Sequence, residues 1–282
     1  MNIGIIGLGL IGGSLARDIK ARVKDARIFG YDSYEQAVEL AQKSEIFETV
    51  SLSADLSSLS SHSFDIIIVA VSVADTAETV RKVYDIVGDK CIITDVCSVK
   101  GHLSELSGLW GIRLVGGHPM AGTEKSGFDA GREGLFDRAA YIITPYPSTA
   151  KDDLNTVIRL VETIGAKPLL MEAEEHDALV GRVSHLPHMA AYALCDHVIK
   201  DGEPYVAGKG FADMTRIASS SPKFWTEVAQ ANKNNIIKEL SGIMLRLEDL
   251  KGMIERDEWA KLEGILERGK EKRERIKQVN DE

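Results

Sequence analysis

The stretch from Asn2 to Ala16, NIGIIGLGLIGGSLA, constrains the fold more than any other part of the chain. NIGII reads as a buried strand, Gly7, Gly9 and Gly12 follow in the spacing G-x-G-x-x-G, and LIGGSLARDIKARV carries apolar residues at helical spacing. Strand, tight turn and helix in that order open a doubly wound α/β sheet. The glycines, with Leu10 and Ile11 between them, let the backbone approach a pyrophosphate, which the unpaired N–H groups and dipole of the helix N-terminus attract. Such a pattern alone is weak, but Asp32 ends the second expected strand, RIFGYD, at the separation of about 20 residues where a carboxylate accepts hydrogen bonds from the adenosine ribose. That acid would repel a 2′-phosphate, and DSYEQA supplies no arginine to compensate, so NAD rather than NADP is the expected cofactor.

The alternation continues. EQAVELAQK reads as a helix, FDIIIVAVS as a strand buried on both faces, ADTAETVRKVYDIV as a helix and KCIITDV as a further strand. RLVGG, AAYIITP and KPLLM are three more strand candidates, and TAKDDLNTVIRLVETIG is an amphipathic helix closed by Gly165. A parallel sheet is the natural consequence, with the serine-rich SLSADLSSLSSHS a loop holding at most a short helix. From Glu172 onward the patterns are helical only. The expected organisation is an α/β Rossmann-type dinucleotide-binding domain over 1–171 and an all-α helical domain over 172–282.

Composition narrows the partners. A net charge of −9 argues against nucleic acid or an anionic membrane, since phosphate backbones require clustered Lys and Arg. No run of about eighteen apolar residues is present, so no membrane span is expected. The start lacks the basic residues of a secretion signal. Cys91, Cys97 and Cys195 form no metal spacing, and reduced thiols in a cytoplasmic protein are the default.

Ligands of open α/β sheets gather beyond the carboxyl ends of strands. Three segments fall there: VSVAD with Val71 and Ser72, DVCSVK with Ser98, and GGHPMAGTEKSG with His118 in what reads as an irregular loop. A loop histidine taken alone is a solvated surface residue. Beside a nicotinamide it can instead take the proton of a carbinol whose hydride leaves, because a pKa of about 6.5 suits general-base work near neutrality. Ser98 has a hydroxyl that can position the same oxygen, or it can cap the following helix; both roles stay open.

These residues resemble the prephenate and arogenate dehydrogenases of tyrosine biosynthesis. The likeness is carried by GLGLIGGSLA, DVCSVK, GGHPMAGTEKSG, SHLPH at Ser184–His188 and GFADMTRIASSSPKFW at Gly210–Trp225, which run in the family's order. It implies that NAD accepts a hydride from C4 of a cyclohexadienyl acid while C1 loses carbon dioxide. His118 is then the base and Ser98 aligns the C4 hydroxyl. Arg216 would hold the ring carboxylate, although a salt bridge to Asp213 is an alternative for it. Thr123 and Glu124 of the GTEK element would adjoin the substrate, with Glu124 joining an ionic gate. Ser184 and His188 share a helix face and would bind substrate, His185 being a weaker candidate around the same helix. The resemblance also implies that the helical domain builds a homodimer. Prephenate is the favoured substrate, with arogenate, or a non-catalytic NAD-binding sensor, as alternatives.

Overall fold

The computed structural model describes residues 1–54, 56–110, 112–123, 125–199 and 208–281. The alternating segments become β1 (Asn2–Ile6), α1 (Leu10–Arg22), β2 (Arg27–Asp32), α2 (Glu35–Lys43), β3 (Thr49–Leu52), β4 (Ile66–Val69), α3 (Val73–Val87), β5 (Ile92–Asp95), α4 (Gly101–Trp110), β6 (Leu114–Pro119), β7 (Ala140–Pro145), α5 (Lys151–Thr163) and β8 (Lys167–Leu170). They form one eight-stranded sheet in the order β3-β2-β1-β4-β5-β6-β7-β8. The strand order reverses between β1 and β4, which opens the crevice where ligands of such sheets bind.

Burial follows the sequence. All four residues of β4, IIIV, are buried, as are Ile3 and Ile5 of β1, Leu15 and Ile19 of α1, and Phe136 ahead of β7. A strand covered on both faces must be apolar at every position, hence the unbroken run rather than an alternation.

Three expectations are corrected. The segment SLSADLSSLSSHS, expected as a loop with at most a short helix, opens with the last two residues of the edge strand β3, whose TVSL is half-exposed, so neither an apolar run nor an alternation marks it. The sheet is not wholly parallel, because β6 and β7 pair antiparallel. That pairing also places His118 inside β6, opposite Ile142, and not in an irregular loop. The glycine pair before it, misleading as a loop signal, is required by close packing. A Cβ on Gly117 would lie 2.5 Å from the Asp95 carbonyl oxygen and 3.0 Å from the Tyr141 ring.

Beyond Met171 the described residues contain no strand. There follow α6 (Ala173–Val180), a π-helical turn (Gly181–His185), α7 (Leu186–Val198), α8 (Lys209–Thr215), a 3-10 turn (Arg216–Ser219), α9 (Pro222–Ala231), α10 (Lys233–Glu255) and α11 (Trp259–Asp281). The chain divides into two compact units, Met1–Lys233 and Asn234–Glu282. The second consists of helix and carries exposed Met244, Leu245, Leu247, Trp259 and Leu266.

Gly117→Ala is expected to lower stability by about 1–3 kcal/mol, since the added methyl meets backbone that cannot rotate away. A thermal unfolding midpoint equal to that of the unmodified protein would show that this strand is not held as described.

Candidate active site

The nucleotide cleft is built by the turn between β1 and α1. Gly7 has φ +92°, and a Cβ there would lie 2.3 Å from the Ala70 carbonyl oxygen; on Gly12 it would lie 2.0 Å from the Gly7 carbonyl oxygen. Gly9, in contrast, faces open space, leaving the α1 N-terminus accessible to a ligand. Leu10 and Ile11 are the first residues of α1, and no side chain caps its amides. Asp32 is held by two backbone donors, Leu8 N–H to Oδ2 at 2.6 Å and Tyr34 N–H to Oδ1 at 2.8 Å. A cleft of about 470 Å³ joins Gly7, Gly9 and Asp32 to Val71 and Ser72, beyond the end of β4. Ser72 caps α3, its Oγ accepting from Asp75 N–H at 3.2 Å. A dinucleotide fits these groups: the open N-terminal amides suit a pyrophosphate, and the fixed carboxylate suits a ribose.

Two strands beyond β4 in the sheet, His118 on β6 is half-buried and hydrogen-bonded through Nδ1 to His176 Nε2 at 2.8 Å. Nδ1 of His176 meets Asp177 Oδ1 at 2.7 Å. The Asp177 carboxylate also accepts Lys100 N–H and Gly101 N–H, each at 2.8 Å, and so caps α4 from α6. Ser98 lies two residues before that cap position, so the amides that would have given it an N-cap role are closed by another residue. Its neighbour Lys100 is fully buried and ion-paired with Asp95, whose Oδ2 also accepts Cys97 N–H at 2.9 Å. Burial raises the Cys97 thiol pKa, which leaves it a core thiol rather than a nucleophile.

Desolvation, reinforced by His176, Lys100 and His185, holds His118 well below the ordinary histidine range. It is therefore neutral at pH 7 and has a lone pair to offer. Burial lowers His176 as well, opposed by its bond to Asp177. Burial pushes Asp177 up, but the bonds from His176 and from the two amides outweigh it and keep the carboxyl below its usual range.

The helical segments supply the remaining candidates. The π-helical turn interrupts what reads in sequence as one helix, and Pro187 sits in the first turn of α7. His188 stacks on Trp225, with ring centroids 3.6 Å apart, and its Nδ1 bonds the Ser184 carbonyl oxygen at 2.9 Å. Ser184 is half-buried beside it. His185 is buried, lies 3.1 Å from Asn232 Nδ2 and has its pKa lowered to about 4, chiefly by burial; it belongs to the packing. Arg216 opens the 3-10 turn after α8, exposed, and its charge contributes to lowering His188. Asp213 is exposed on α8, and Thr123, exposed, accepts Lys125 N–H at 3.3 Å. Glu124 lies outside the described residues. The reading from sequence missed His176 and Asp177, which are buried with Ala173 and Val180 on α6 and carry no local sequence signal.

A glycine cradle, a carboxylate fixed at the end of β2 and a neutral histidine at the carboxyl end of β6 are the features of a Rossmann-type, NAD-dependent dehydrogenase. The prephenate dehydrogenase nucleotide-binding domain family matches residues 15–170, and the prephenate dehydrogenase dimerization domain family matches residues 172–268. The chain belongs to the prephenate dehydrogenase family. It is 33% identical to the prephenate dehydrogenase of Lactococcus lactis subsp. cremoris, over 96% of this chain and 76% of that one. To the cyclohexadienyl dehydrogenase of Zymomonas mobilis it is 32% identical, over 90% of this chain and 88% of that one. Among solved structures, it is similar to the prephenate dehydrogenase of Aquifex aeolicus in complex with hydroxyphenyl propionate and NAD+ (TM-score 0.91, 35% identity, 98% of each chain). The arogenate dehydrogenase of Synechocystis is similar as well (TM-score 0.82, 31% identity, 98% of this chain and all of that one).

His118, His176, His185 and His188 all have lowered pKa values. Below a pH of about 6.5 the unfolded chain binds protons that the folded chain refuses, so stability is present above that pH and is lost as pH falls. The unfolding midpoint is expected to drop steadily between pH 7 and pH 5. A midpoint that stays level through this window would mean that these imidazoles are not buried as neutral groups.

Proposed function

We propose that this chain catalyses the NAD-dependent oxidative decarboxylation of prephenate to 4-hydroxyphenylpyruvate, as a cytoplasmic homodimer. The observation that carries this reading is a neutral, half-buried His118 at the carboxyl edge of β6, beside the loop that bears Ser98. The names of the L. lactis relative and of the Aquifex complex support the substrate class.

Gly7, Gly9, Leu10, Ile11, Gly12, Asp32, Val71 and Ser72 hold NAD, which when bound supplies the hydride acceptor. Ser98 aligns the C4 hydroxyl of the substrate, and His118 takes its proton as the C4 hydride departs. Arg216 pairs with a substrate carboxylate, and Ser184, His188, Thr123, Glu124 and Asp213 complete the substrate's surroundings. Loss of carbon dioxide from C1 sends an electron pair into the ring, and the new phenol oxygen recovers the proton that His118 held. Aromatisation makes the step irreversible.

In this reading, residues 1–171 serve the cofactor and residues 172–282 serve substrate binding and dimerisation. The exposed apolar side chains of α10 and α11 support a second copy of the chain as their cover. Arogenate is the second reading, favoured by the likeness to the Synechocystis enzyme and to the Zymomonas cyclohexadienyl dehydrogenase.

The test is NADH formation by absorbance, with prephenate and arogenate each offered with NAD and NADP. Turnover with prephenate and NAD, and slower turnover with NADP, is the expected result. Turnover with arogenate alone would replace the first reading by the second, and silence in all four mixtures by a protein that binds NAD would point to a non-catalytic sensor.

A further inference from the structure

The bond from His118 leads away from the cleft, through His176, to a carboxylate that also fixes the α4 start. We infer that His176 and Asp177 are positioning residues for the base: they hold His118 in the tautomer protonated on Nδ1, so that Nε2 is the atom that receives the substrate's proton. The inference rests on the reading of His118 as the base.

Donor and acceptor bookkeeping along the chain forces this polarity. An ionised carboxylate can only accept, so His176 must carry its proton on Nδ1 to bond Asp177 Oδ1 at 2.7 Å. Neutral His176 then has only a lone pair on Nε2. The 2.8 Å contact with His118 Nδ1 is a bond only when His118 is the donor. His118 Nε2 is left with the lone pair.

The carboxylate is well placed to dictate the order. Its two other bonds come from the backbone amides of Lys100 and Gly101, donors that cannot reverse. Asp177 therefore stays ionised and acceptor-only, its carboxyl held below the usual range. When His118 takes a proton on Nε2 it becomes a cation whose Nδ1–H points at His176 and, through it, at the Asp177 charge. The same Asp177 carboxylate anchors the segment Lys100–Gly101, two residues past Ser98. One side chain thus sets the positions of both groups that face the substrate hydroxyl.

The groups around His118 and His176 are Asp95 at the end of β5, Lys100 from the β5–α4 connection, Asp177 from α6, and His185 from the π-helical turn. Lys100 is neutralised by Asp95, and His185 is neutral near pH 7. His176 bonds the His118 ring directly.

Long-range ¹H–¹⁵N spectra of the full chain decide the tautomer without any need for turnover. The expected result is His118 with a protonated Nδ1 and an unprotonated Nε2. A proton resident on Nε2 overturns the inference, whether or not the enzyme turns over prephenate. Kinetics give the second arm. His176→Leu removes the acceptor and is expected to lower kcat about 10- to 100-fold, with KM within about threefold, and to move the acid limb of the pH profile. His176→Gln presents a side-chain oxygen to His118 Nδ1–H and is expected to recover part of kcat. Unchanged kcat and an unmoved acid limb in His176→Leu, or equal losses in both variants, would overturn the inference. An inactive unmodified protein would count against the proposed function, leaving the spectra to judge the tautomer.

Discussion

The Asp177 carboxylate is the point on which the catalytic end of the sheet depends. It receives two amides from the start of α4 and the imidazole of His176, and His176 in turn bonds His118 on β6. A helix beyond the sheet is thereby tied to the loop after β5 and to the strand beside it. Charge-assisted bonds in a site of low dielectric are stronger than the same bonds in water, and their cost is high if one partner is missing. Ser98, two residues before the anchored amides, and His118, bonded to His176, thus both adjoin groups that this one carboxylate holds.

Charge in this region is arranged to keep His118 neutral and the ions paired. Lys100 is fully buried yet matched by Asp95, whose carboxylate also takes the Cys97 amide. Removing either partner would strand a charge in the interior, which costs far more than the pair itself contributes. At the turn between β1 and α1 the demands differ. Gly7 and Gly12 approach backbone oxygens too closely to allow side chains, whereas Gly9 leaves the helix N-terminus open. A phosphate needs accessible amides; a base needs burial.

Much of this was legible in the sequence. The βα alternation and the G-x-G-x-x-G turn gave the parallel part of the sheet, its crevice and the cofactor, because local spacing dictates them. The likeness of GGHPMAGTEKSG, SHLPH and GFADMTRIASSSPKFW to the prephenate dehydrogenases gave the family. What escaped was long-range. The antiparallel β7 that draws His118 into a strand is not signalled near GGHP, and glycines needed for contact with Tyr141 and Asp95 imitate a loop. His176 and Asp177 lie 58 residues or more from the groups they orient, and no local pattern distinguishes a capping carboxylate from a surface one. The edge strand β3, half-exposed, had no periodicity to read.

If His118 is the base, His118→Asn removes the proton acceptor and leaves binding in place. Steady-state kinetics with prephenate and NAD should show kcat lowered about 10²- to 10⁴-fold, while KM and the Kd for NAD stay near those of the unmodified enzyme. The amide keeps a polar contact but cannot take the proton. A kcat equal to that of the unmodified enzyme would remove His118 from the chemistry.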